Sequence, residues 1–153
     1  MLSIIFSYIY LVCLSIFFGS SIFIGYIMAP YIFKTLNSRS EAGNMVGALL
    51  HKFSTLGYIT QVLMVITGYI LYLNLVGIII FIIPLIILIL LLFSEKFISK
   101  KMNNLKKRMG SIDEIPKDDP KRKQFNSLHK WSVKLFLFNE LLCLPLFYII
   151  LVK

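Results

Sequence analysis

Cysteine is scarce in this chain, and the two that occur, Cys13 and Cys143, have no CxxC spacing. Both fall within apolar runs, so a cysteine framework has nothing to build on and small buried side chains are expected. Acids are few as well: seven Asp and Glu stand against sixteen Lys and Arg, a net charge of +9. HExxH, GxSxG, P-loop, GxGxxG and cysteine–histidine clusters are all missing. The chain therefore makes no positive case for a hydrolase, a nucleotide enzyme or a zinc protein. Apolar residues, by contrast, are abundant. They make up 58% of 153 residues, with a mean hydropathy of +0.84, which is too apolar for a soluble domain of this size.

Four stretches reach the roughly 20 apolar residues that a bilayer-crossing helix needs. They are residues 2–29, 55–73, 76–93 and 132–152. The predicted fold is all-α: one domain over residues 1–153, with four transmembrane helices in an antiparallel bundle. The first stretch is not read as a secretory signal, because it lacks a basic start, is too long and has no A-x-A-like close. Lys34, Arg39 and Lys52 lie between spans one and two, twelve basic residues lie between Lys96 and Lys134, and Lys153 is the remaining one. Loops 30–54 and 94–131 thus carry the charge on one side. The positive-inside rule puts that side in the cytoplasm and both termini outside, in a multi-pass protein of the cytoplasmic membrane. Anionic lipid headgroups are the expected partners of the basic excess. Nucleic acid is not, since no aromatic or glycine-rich RNA motif accompanies it.

Span one is expected to stop or kink at Ala29-Pro30. Ser21, Gly25 and Ala29 repeat every four positions, with Ser15 and Gly19 on a neighbouring stripe, a pattern that lets helices approach closely in lipid. Packing within the chain is the first reading, and a homo-oligomer or a larger membrane complex the other. Ser38-Arg39-Ser40-Glu41 has the form of a capping box, with Ser38 accepting from the residue three on and Glu41 reaching back. From there one helix is predicted to run to about Leu73, roughly 52 Å at 1.5 Å per residue, far more than a membrane core. Gly43-xxx-Gly47 predicts a close approach, and Asn74 to Gly77 a tight turn. Helix three is expected to pass Ser94 and end at Gly110, and Asp119-Pro120 to start the last helix with an N-cap and a proline at N1. Helices two, three and four therefore extend on the cytoplasmic side.

The most informative residue is Glu140. It lies within the last apolar run, eight residues past Ser132, which is roughly 12 Å into the span. Charge at that depth is costly and is retained with a partner, a proton or a job. Counted from the cytoplasmic edge, Gln61 lies at nearly the same depth, Ser20 and Ser21 of span one reach a similar level, and Ile86 and Ile87 of span three are apolar. A polar layer of Glu140, Asn139, Gln61, Ser20 and Ser21 is the candidate proton or cation site, with Gln61 as first partner of the carboxyl. A hydrogen-bonded carboxyl that ties helices together is the alternative. The only histidines, His51 and His129, would be the haem or metal ligands if either group were bound.

Three stretches carry a resemblance: Phe18 to Phe33 with its Ala29-Pro30-x-x-Phe33 end, Glu41 to Leu49, and Phe125 to Val133 with Leu128-His129-x-x-Ser132. Together they resemble the transmembrane protein 205-like family of small four-span membrane proteins, a domain of unknown function. That resemblance implies the four-helix architecture and no reaction. Asn139-Glu140 followed by Pro145 is similar to the Asn-Glu-x-Pro of the HemJ-type protoporphyrinogen oxidases, which implies haem as a cofactor. In those proteins the proline follows sooner and a histidine is expected in the first helix, whereas residues 1–30 here hold none. The leading expectation is an accessory or transport-related membrane component without a cofactor. A haem oxidoreductase and a structural subunit docked onto a larger complex are the alternatives.

Overall fold

The structure, a computed structural model, describes residues 2–73, 77–110, 112–116 and 118–152. Those residues form four long helices joined up-down-up-down. Helix α1 joins Leu2–Ile22, a π-helical turn Phe23–Met28 and Ala29–Thr35. Helix α2 is Arg39–Leu73, α3 is Ile79–Met109 with a π-helical turn Ser94–Ser99, and α4 is Pro120–Val152. All four are long and apolar enough to cross a membrane. Lipid offers no partner to backbone N–H and C=O groups, so a helix, which pairs them internally, is what such sequences adopt. Large apolar side chains such as Tyr8, Ile27, Leu141 and Leu151 accordingly face outwards. Each helix packs on its neighbours in sequence and α4 returns to α1. The core holds Tyr10, Leu14, Phe17, Phe53, Met64, Leu71, Ile80, Ile87, Cys143 and Leu146. Phe53 of α2 stacks on Phe17 of α1 and meets Phe136 of α4 across the bundle.

The long helices match expectation: α2 and α4 run unbroken through residues 41–50 and 121–130. Glu41 N–H donates to the Ser38 hydroxyl, as a capping box requires. The reciprocal half differs. The carboxylate of Asp113, from the α3–α4 loop, accepts from the Ser38 hydroxyl at 2.8 Å and from Ser40 N–H at 3.2 Å. The Ser38 hydroxyl first, then the Ser40 N–H, hold the Asp113 carboxyl below the usual carboxylate range. At the start of α4, Asp119 accepts from Lys121 N–H and Arg122 N–H, with Pro120 in the first turn. Gly110 ends α3 with φ +74°, a conformation that favours glycine. Of the expected turn at Asn74 to Gly77, residues 74–76 lie outside the described residues.

Two expectations are corrected. Pro30 does not stop α1, which continues to Thr35. In an α-helix its ring would press on the carbonyl of Tyr26, four residues back. The helix widens instead: Ala29 N–H reaches the carbonyl of Ile24, five residues back, in the π turn just upstream. Gly43-xxx-Gly47 is not a close helix approach either. A methyl group on Gly47 would meet nothing within 4 Å, and one on Gly43 only the Lys106 ammonium at 3.6 Å. At this end the helices are spaced by that long side chain, whose Nζ donates to Gly43 O and Asn44 Oδ1 and lies over the Phe125 ring. Close approaches are at Gly25, against the Phe136 ring, at Gly57, against the Leu91 and Phe17 side chains, and at Gly68, against the backbone of Ile80 and Phe81.

Candidate functional site

Among the described residues, six polar side chains besides the Tyr10 phenol are buried in the bundle: Ser21, Thr60, Gln61, Thr67, Asn139 and Glu140. The three hydroxyl residues are satisfied locally. Ser21 donates to Phe18 O, Thr60 to Leu56 O and Gly57 O, and Thr67 to Leu63 O. Such back-bonding within one helix removes a hydroxyl from any wider network. The two amides and the carboxyl are different. Gln61 Nε2 and Oε1, Asn139 Oδ1 and Glu140 Oε1 are buried without a hydrogen-bond partner among the described residues. Each such atom costs about 1–3 kcal/mol in a dry interior unless something else meets it.

Glu140 is 7% exposed. Its Oε2 accepts a hydrogen bond from the Tyr26 hydroxyl at 3.0 Å. Tyr26 sits on the π turn of α1, so the widening that accommodates Pro30 also sets where this phenol points. Both residues line a groove of about 470 Å³ between α1 and α4, whose remaining wall is Phe18, Ile22, Leu137, Leu141 and Leu144. A carboxyl with one oxygen held and one unpaired thus stands at the side of an otherwise apolar groove.

Gln61 is not the partner of Glu140. Parallel helices α2 and α4 meet at Phe53 and Phe136; Gln61 is eight residues beyond the first and Glu140 four beyond the second. At 1.5 Å per residue Gln61 lies about 6 Å further from the basic end, roughly one turn away. Counting from estimated span edges missed this, because the true relative register is set by packing. Ser21 is buried but bonded to its own helix, and Ser20 is half-buried beside a different groove, towards α2. The residue missed was Tyr26. A phenol four positions before an intrahelical proline was the available signal.

A second polar cluster joins α2 to the π turn of α3. Glu95 Oε1 lies 2.9 Å from His51 Nδ1, and Glu95 Oε2 accepts a hydrogen bond from the Tyr58 hydroxyl. His51 is therefore engaged by a carboxylate, while His129 is exposed on α4. Nothing brings the two rings together. Among the described residues, no group of three His, Cys, Asp or Glu side chains could hold a metal ion.

Neither a curated protein nor a solved structure matches the chain. One family profile does, over residues 12–111. It covers most of α1 and all of α2 and α3, with Tyr26, His51, Tyr58, Gln61 and Glu95, and stops short of α4 and Glu140. With four membrane-spanning helices and this match over well over half its length, the chain is a multi-pass membrane protein that belongs to the family described as a domain of unknown function, DUF4149.

Proposed function

We propose that the protein is a transport-related or accessory component of the cytoplasmic membrane in which Glu140 takes up and releases a proton. The observation that carries this reading is the unpaired, buried Oε1 of Glu140 beside a groove that is otherwise apolar. A carboxylate with no cation beside it is poorly solvated there, and a proton on the free oxygen removes that cost. Tyr26 donates to the other oxygen and so holds the carboxyl in place while leaving Oε1 open to a proton. The transmembrane protein 205-like resemblance contributes architecture to this reading and no reaction. A hydrophobic carbodiimide, which couples to protonated carboxyls within a membrane, tests the proposal. Mass spectrometry is expected to find the adduct at Glu140, with a yield that falls as pH is raised, and none in Glu140→Gln. An unmodified Glu140, or a yield indifferent to pH, would defeat the reading.

The orientation belongs to the same proposal. Fifteen of the sixteen basic residues lie between Lys34 and Lys134; the described ones stand at one end of the bundle or on the connections there, and that end is assigned to the cytoplasm. A cysteine placed at Lys107 is expected to react with an impermeant maleimide only after the cells are opened. Labelling of intact cells at that position would reverse the assignment.

A further inference from the structure

A second groove, of about 460 Å³, runs between α1 and α2 on a different face from Glu140. Its volume falls within the roughly 300–1,000 Å³ of ligand sites. The walls are apolar, with Ile24, Phe53 and Leu56 among them, and Gly19 and Ser20 from α1 complete one side. The one charged residue lining it is Lys52. Lys52 is exposed and lies three residues before the apolar stretch that begins at Thr55. His51 beside it engages Glu95 of α3. Lys52, one position on and about 100° further round the helix, lines the side towards α1 instead. Among the described residues no carboxylate pairs with it: the ion pairs are His51 with Glu95 and Lys123 with Asp118.

An apolar trough with a single unpaired ammonium beside it is complementary to one kind of molecule, an amphiphile with an anionic head. We propose that this groove is a binding site for one anionic glycerophospholipid, with the phosphate on Lys52 and an acyl chain along Phe53 and Leu56, away from the basic end. Ser20 offers its hydroxyl part-way along the groove, to an ester oxygen. Gly19 gives the site its depth: a Cβ built there would meet nothing within 4 Å, so the missing side chain leaves room rather than allowing helix contact. The inference does not depend on Glu140, and either can fail without the other.

Native mass spectrometry of the full chain, delipidated in detergent and titrated with phosphatidylglycerol or phosphatidylcholine, tests the site. One phosphatidylglycerol is expected to bind about fivefold more tightly than phosphatidylcholine, the effect of one lysine on an anionic head. Lys52→Gln, at an exposed position, is expected to erase that preference, and Lys101→Gln, which removes the same charge outside the groove, to leave it. Gly19→Leu is expected to fill the trough and abolish retention of either lipid while the thermal melt is unchanged or raised. Equal binding of both lipids would mean annular contact only and overturn the proposal. So would a preference that survives Lys52→Gln, or tighter binding of a free fatty acid than of phosphatidylglycerol.

Discussion

Gly68→Ala is expected to destabilise the bundle by about 2–4 kcal/mol, the sum of overpacking and a strained buried hydrogen bond. A Cβ at Gly68 would lie 2.6 Å from Ile80 O, 3.2 Å from Ile80 C and 3.3 Å from Phe81 Cα. All three are backbone atoms, so no rotamer change can relieve the clash and α3 itself must move. The same Ile80 carbonyl accepts the hydrogen bond of the buried Tyr10 hydroxyl at 2.9 Å, so moving it also loosens α1. Gly25→Ala should cost less, because the obstacle there is the end of the Phe136 ring, which can swing. Gly19→Ala provides the internal control. With open space around it, that change should gain up to about 1 kcal/mol from helix propensity alone. Thermal unfolding of the three variants in detergent is the measurement. A Gly68→Ala melt equal to that of Gly19→Ala would mean that α2 and α3 do not touch at this point.

Glu140→Gln and Glu140→Leu are both expected to fold with stability within about 1 kcal/mol of the parent chain, and both to lose function. Glutamine keeps an acceptor for the Tyr26 hydroxyl and removes only the titratable proton. Leucine loses that bond, worth about 0.6–1.7 kcal/mol in a membrane. It also removes the unpaired Oε1, whose burial costs about 1–3 kcal/mol. The two effects offset. Gln61, whose amide has no partner among the described residues with Glu140 intact, is not newly stranded by either change. Tyr26→Phe should give an intermediate loss of function, since the carboxyl remains but is no longer held. Thermal melts and complementation of a deletion strain read both sides of the prediction. Full complementation by Glu140→Gln, with Glu140→Leu destabilised by about 3 kcal/mol or more, would identify the carboxyl as a helix tie.

The chain by itself determined the number of helices, their great length and the places where they begin. Those features rest on local physics. Apolar runs in lipid must satisfy their own backbone, Ser38 and Asp119 cap the helices that follow them, and Gly110 ends one through a positive φ. It also singled out Glu140, because an acid within an apolar run stands out in any register.

What only the tertiary structure decided is what each polar side chain meets. Gln61 and Glu140 looked level when counted from estimated span edges, yet packing at Phe53 and Phe136 offsets them by roughly a turn. Tyr26 reaches Glu140 from a π turn at the place where Pro30 suggested an end, and Asp113 crosses from a distant loop to cap α2. Small residues were similarly ambiguous. Gly43 and Gly47 have the spacing of a helix contact but stand clear of one, whereas Gly68 lies against a backbone. Spacing along a helix specifies which residues share a face. Which neighbour that face meets, and at what height, depends on how four helices slide and rotate against one another, and contacts between residues far apart in sequence settle it.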